Sequence, residues 1–228
     1  ADGTRAEKNV QSRDSLTEAE FYEFLDGLRS VFEKKKRSRN YSEKLTAEKL
    51  EWIIRVARVM FYNGLRISEV LHCRPAWIVN DYRFLRIGDP DKWRLPDPFT
   101  PKSQKKVDQE IVIPREVQED YRRAGLAAPD KYHRMFAYRS KYTIRDTMKE
   151  GFIEAFGEAR AQYLVPHSLR HSCASYWLNE RGVALQEVKR LLRHEKIETT
   201  MGYYHPSNSA HYQAFNGGQM RAASSSEL

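Results

Sequence analysis

The chain has 228 residues, 39 Lys+Arg against 31 Asp+Glu, a net charge of +8 and 40% hydrophobic residues. That is enough apolar material for one sizeable core hiding about 70% of the unfolded surface, which excludes fibrous and disordered classes. The longest uncharged runs fall well short of a bilayer span and no signal-peptide pattern is seen. Two cysteines far apart, Cys73 and Cys173, exclude a disulfide scaffold or Cys-rich zinc site and fit a reducing compartment; the basic balance permits a polyanionic partner without proving one.

Residues 1–14 are polar and mixed in charge, and read as a linker or the edge of an excised piece. Folding is expected to begin at Ser15, where Ser15 and Glu18 have capping-box spacing and Phe21, Leu25, Leu28 and Phe32 repeat at helical intervals. This helix runs into Lys34, Lys35, Lys36, Arg37 and Arg39, five bases in six positions. The run is either a solvated loop or a patch for phosphates. Thr46 can cap the next helix, with Leu50, Ile53, Ile54, Ala57 and Phe61 as its buried stripe and Gly64 as its end; Trp52 fits core or contact surface.

A further helix is expected over Ile67–Cys73, stopped before Pro75. The period then changes: Tyr82–Ile87 and Glu110–Ile113 read as strands, with a polar, proline-bearing stretch from Lys92 to Asp108 between them. Helices are expected again over Arg115–Ala124 and Thr143–Phe156, the second interrupted by Gly151. The last third reads as helices over Ser168–Leu178, ending near Gly182, over Leu185–Leu192, and from Thr199. The fold class is therefore mainly α with a small antiparallel β-sheet and a basic hairpin, an α+β domain.

Three clusters can carry chemistry. In His167-Ser168-Leu169-Arg170-His171, Arg170 follows His167 by three, so at a helix start both can face one space, where the helix's positive end favours an anion. His171 is one step farther round and is expected to point elsewhere. The bland alternative is an arginine paired with a carboxylate and a histidine buried at a cap. The second cluster is His194 followed by Tyr203, Tyr204 and His205. A metal site on His167, His171, His194 and His205 is disfavoured by Arg170, Arg190 and Arg193 nearby, which repel a cation. One tyrosine can serve as a phenolic nucleophile if positive charge favours its anion; the pair can equally be an amphipathic core edge. The third cluster is Asn63 to Val70, where Arg66 follows a helix-ending Gly64 and Glu69 lies three residues on. Glu69 is placed to orient Arg66 or to cap its own helix.

Taken in order, Arg66, His167-x-x-Arg170, His194 and Tyr203, with a nine-residue final step, resemble the catalytic domain of tyrosine recombinases, the phage integrase family. The likeness covers about residues 15 to 206, including Asn63–Leu71, Pro166–Leu178 and Leu191 through Thr199-Thr200 to Tyr203. It implies that fold for the domain, with residues 207–228 as a C-terminal segment available for exchange with a partner copy. It also implies a separate N-terminal core-binding domain that this chain does not show. Two features depart from the family pattern: Arg193 stands where Gly is usual before the histidine, and Phe32–Thr46 looks like an insertion.

The resemblance further implies that Tyr203 is the nucleophile, that Arg66 and Arg170 clamp the phosphate, and that His167 and His194 complete the pocket, His167 assisting proton movement and His194 holding the phosphate. The family's hairpin lysine corresponds best to Lys102, with Lys105 and Lys106 as runners-up. The implied reaction cleaves and rejoins DNA through a 3′-phosphotyrosyl bond and a free 5′-hydroxyl, with no metal, ATP or other cofactor. Relaxation of supercoils in the manner of a type IB topoisomerase and a catalytically silent DNA-binding module are the alternatives. The implied partners are double-stranded DNA with a specific recombination site, further copies in a tetrameric synapse, and accessory DNA-bending proteins, with no membrane. The expected location is the cytoplasm or nucleoid of a prokaryote, or the host-cell cytoplasm for a viral protein. Lys34, Lys35, Lys36, Arg37, Arg39, Lys105, Lys106, Arg190 and Arg193 are the candidate DNA contacts beyond the pocket.

Overall fold

The computed structural model describes residues 14–37, 46–89, 92–101, 110–136 and 141–204. Lys102, Lys105, Lys106, Arg39 and His205, together with the C-terminal segment, lie outside the described residues.

Helix α1 spans Glu18–Lys35 and starts two residues later than the Ser15–Glu18 spacing predicts. Thr17 is the cap. Its hydroxyl accepts from the Glu20 N–H at 3.3 Å, and the Glu20 carboxylate accepts from the Thr17 N–H at 2.9 Å. That register puts Leu16 and Phe21 at the two staple positions flanking the first turn, and both are buried. Helix α2, Ala47–Asn63, follows the sequence closely: Thr46 caps it, the whole predicted stripe is buried, and Gly64 ends it in the left-handed conformation at φ 64°.

The aromatic core fixes how these helices meet. Phe21 stacks on Phe61 at 4.1 Å and Phe24 on Phe152 at 4.2 Å, so α1 lies between α2 and helix α5, Lys141–Ala161. Gly151, which weakens α5 as a sequence pattern, has a packing reason. A Cβ there would lie 2.6 Å from Leu28, and one on Gly27 would lie 2.5 Å from the Gly151 carbonyl. The pair lets two helices approach at backbone distance. Helical geometry breaks at Gly157, φ 73°, one residue after the predicted end at Phe156.

Helix α3 covers Ile67–His72. A three-stranded antiparallel sheet follows, with β1 Ile78–Val79, β2 Phe84–Arg86 and β3 Glu110–Val112 in that order. Two strands were legible; the short β1 was not. Tyr82, expected in a strand, belongs instead to a turn in which Asn80, Asp81 and Tyr82 all have positive φ. Leu85 faces Ile111 across the ladder and both are buried, so one face of the sheet joins the core.

Helix α4, Arg115–Ala127, and helix α6, Pro166–Ser175, both pack on α2. After α6 the helix widens into a π turn over Tyr176–Glu180 and stops at Gly182, φ 63°. Helix α7, Leu185–Leu192, has the predicted bounds, and α8 is a single turn over Glu198–Met201. Val188, Leu191 and Leu192 of α7 form a second apolar cluster with Cys173, Ala174 and Leu178 of the α6 region, and Tyr203 packs against it. Both cysteines are buried and free.

Candidate active site

The α2–α3 turn, the start of α6 and the segment after α7 converge. Arg170 is the joint. It is only 3% exposed, and its two terminal nitrogens donate to the carbonyls of Gly64 and Leu192. One guanidinium thus ties α6 to the turn that carries Arg66 and to the end of α7. Gly64 is required there twice over: its φ is positive, and a Cβ would sit 2.4 Å from Leu192.

Arg66 is aimed by Glu69. The Glu69 carboxylate accepts from the Arg66 backbone N–H at 2.8 Å and from its guanidinium at 3.0 Å, while the Arg66 side chain keeps 33% of its surface. The other oxygen partner of Glu69 was not foreseen: Arg193 donates to it at 2.6 Å. Arg193, predicted as a surface contact for DNA, is 2% exposed and therefore cannot serve as one. Its backbone sits in the left-handed region at φ 55°, so it keeps the conformation for which glycine is usual and sends its side chain inward to the carboxylate.

The charge balance of this cluster is uneven. Burial works to raise the Glu69 carboxyl, but the Arg193 charge and hydrogen bond, the Arg66 N–H and the Arg170 charge hold it below the ordinary range. Arg170 is pushed down to about 10, first by burial and then by the Arg66 charge, and remains charged at neutral pH. Three guanidinium groups against one carboxylate leave a net +2. Three cations sharing a single carboxylate make a preorganised anion site.

The remaining predicted residues are carried by α6 and by the segment after α7. His167 is exposed at the start of α6. The His194 Nδ1 is 2.9 Å from the hydroxyl of the fully buried Thr200, which fixes the imidazole. Tyr203 is half-buried; its backbone carbonyl accepts from the Asn179 amide at 2.8 Å. Tyr204 is 49% exposed, so the two adjacent tyrosines are distinguished by packing. His171 was expected to point elsewhere. Instead its Nδ1 is hydrogen-bonded to the Tyr203 hydroxyl, and the rings stack with centroids 5.2 Å apart. A signal for it was present: His171 follows His167 by four, a same-face spacing on a helix, and their rings meet edge to face at 4.7 Å.

The outer basic candidates divide. Lys34 and Lys35 lie in the last turn of α1, not in a loop, and pair with Glu154 and Glu150 of α5 at 2.6 Å each. Lys36 pairs with Glu33, while Arg37 and Arg190 are exposed. Much of the run's charge is therefore answered within the domain. Among the described residues, no helix is long and apolar enough to cross a membrane.

A mainly helical domain with a small antiparallel sheet, carrying an arginine, a histidine, a second arginine, a second histidine and a tyrosine in this order, has the architecture of a tyrosine recombinase catalytic domain. The model of the phage integrase family matches residues 36–210, and the chain belongs to that family, one of enzymes. Similar relatives are the tyrosine recombinases XerC of Corynebacterium glutamicum, 27% identical over 73% of this chain and 51% of the relative, and of Corynebacterium efficiens, 39% identical over 73% and 50%. The chain thus spans about half the length of the curated relatives it matches. Among solved structures, the Tn1549 transposon integrase in complex with circular intermediate DNA shares the fold, with a TM-score of 0.58 and 17% identity over 94% of this chain and 69% of that one.

Proposed function

We propose that this chain is the strand-cutting part of a site-specific DNA recombinase, acting on double-stranded DNA through a covalent 3′-phosphotyrosyl intermediate. One observation carries the reading most directly. The hydroxyl of Tyr203 is held on α6 by His171, the residue next to Arg170, and Arg170 belongs to a cluster of net charge +2. A phosphodiester is an anion, and a phenol oxygen approaching it meets repulsion unless that charge is neutralised. Arg66 and Arg170 are the groups for this purpose, and charge growing on the five-coordinate phosphorus would be stabilised by donors already in place.

In this reading Arg170 exchanges one of its carbonyl partners for a phosphate oxygen when DNA enters, and Arg66 supplies its exposed edge while Glu69 holds it. His167 and His194 line the phosphate, with His194 kept in register by Thr200. Tyr203 attacks phosphorus, and Lys102 supplies a proton to the departing 5′-oxygen. The phosphotyrosyl ester keeps the energy of the cut bond, so a 5′-hydroxyl from another strand can reverse the step without ATP. Synapsis of two duplexes by a tetramer is part of the same proposal, and so is dependence on segments beyond this chain.

A duplex nicked near the cleavage point, so that the leaving fragment diffuses away, tests the assignment. The chain should form a covalent protein–DNA adduct on denaturing gels, and Tyr203→Phe should abolish the adduct while preserving DNA affinity. An undiminished adduct in that variant would sink the assignment of Tyr203.

A further inference from the structure

We propose that His171 is a catalytic residue, the group that takes the phenolic proton of Tyr203 as the tyrosine attacks. This rests on the reading of Tyr203 as nucleophile and goes beyond it, because the resemblance implies that His167 assists proton movement, whereas the side chain bonded to the Tyr203 hydroxyl is His171.

The geometry is specific. The contact joins Nδ1 of His171 to the reacting oxygen itself, and the rings lie nearly parallel, 27° apart. With its own proton on Nε2, the imidazole presents Nδ1 as the acceptor and the phenol O–H donates. The histidine is only 8% exposed, so bulk water does not compete freely for the site. Tyr203 is held from its other end as well: the Asn179 amide bonds its carbonyl at 2.8 Å and the Ser175 hydroxyl at 3.0 Å. His167, on the same face of α6, is exposed and meets His171 edge to face, so it stands on the solvent side of the pair. His167 is the titratable group in ring contact with this pair; Arg170, next to His171 on α6, joins it to the charged cluster of Arg66 just before α3, Glu69 on α3 and Arg193 after α7.

The Tyr203 O–H bond breaks and its proton moves to His171 Nδ1 while the oxygen bonds to phosphorus. The P–O5′ bond breaks, its electron pair stays on the 5′-oxygen, and that oxygen gains a proton from the acid assigned to Lys102. On rejoining, a 5′-hydroxyl attacks phosphorus and gives its proton to the now neutral Lys102, the bond from phosphorus to the tyrosyl oxygen breaks, and the His171 imidazolium returns its proton to that oxygen.

Single-turnover adduct formation by the full chain on the nicked duplex, followed from about pH 6 to about pH 9.5, tests this. His171→Asn keeps an acceptor near the Nδ1 position but accepts no proton. Its adduct rate should fall about 100-fold near neutral pH, and the loss should shrink as pH rises and hydroxide takes over the proton. His171→Gln is the second variant, and DNA affinity with thermal melting shows which variants are folded. A folded variant with the wild-type rate, or with a uniform loss at every pH, would reduce His171 to a positioning group and overturn the proposal. A faster adduct would make it a latch and overturn it too. Wild-type protein without adduct, or Tyr203→Phe with it, removes the nucleophile reading and this inference together, a result distinct from any of those.

Discussion

Arg74 and Arg193 are both almost completely buried, 3% and 2% exposed, and each faces a buried carboxylate, Asp89 at 3.2 Å and Glu69 at 2.6 Å. The surroundings differ. Arg74 also holds the Asp97 carboxylate and carbonyl and the Tyr132 carbonyl, and Asp97 takes Arg134 as well, so every partner fastens loops beside the sheet. Glu69 instead passes its charge outward, to an Arg66 that keeps a third of its surface. A buried ion pair is therefore a poor mark of function by itself. What distinguishes the second site is a partly exposed cation held by the carboxylate, next to another cation that lacks an anion.

Glu69→Gln should separate the two regions most strongly. It leaves Arg193 buried without its counter-charge, costing about 3–5 kcal/mol in urea denaturation. It also loosens Arg66, so adduct formation should fall about 100-fold or more in molecules that remain folded. Arg74→Met should cost a comparable several kcal/mol by the same denaturation, but leave the adduct rate per folded molecule unchanged. An equal loss of rate in both would erase the distinction. Acid supplies a milder version. The folded Glu69 carboxyl lies below its ordinary value, so its contribution is complete above about pH 4.5 and is lost as pH falls through the depressed folded value. Wild-type stability should therefore fall more steeply than that of Glu69→Gln below that pH, measured by denaturation across the acid range. Arg193→Gly should have the smallest effect, because glycine relieves about 1–2 kcal/mol of left-handed strain and Glu69 keeps Arg66. Denaturation should show a loss well below that of Glu69→Gln, with adduct formation retained.

Local patterns carried most of the fold. The stripe of α2, its Thr46 cap and Gly64 end, and the bounds of α7 all follow from spacing that involves only neighbours in the chain. The start of α1 slipped because Ser15 and Thr17 both offer a capping hydroxyl, and the choice fell to the register that buries Leu16 and Phe21. The two-residue β1 gives no period to detect, and it exists because it pairs with β2. Gly151 read as a flaw until the opposing Gly27 showed what must fit there.

The same division runs through the candidate site. Sequence alone determined which residue types were available and in what order: two arginines that stay charged, a histidine three before the second, and a tyrosine nine after another histidine. Only the tertiary structure decided who meets whom. It turned Arg193 inward onto Glu69, tied Arg170 to carbonyls on two other segments, and set His171 against Tyr203 across 32 residues of chain. The physical reason is that spacing along a helix fixes only a face, whereas a buried charge or hydroxyl takes whichever partner the packing of distant segments brings within bonding distance.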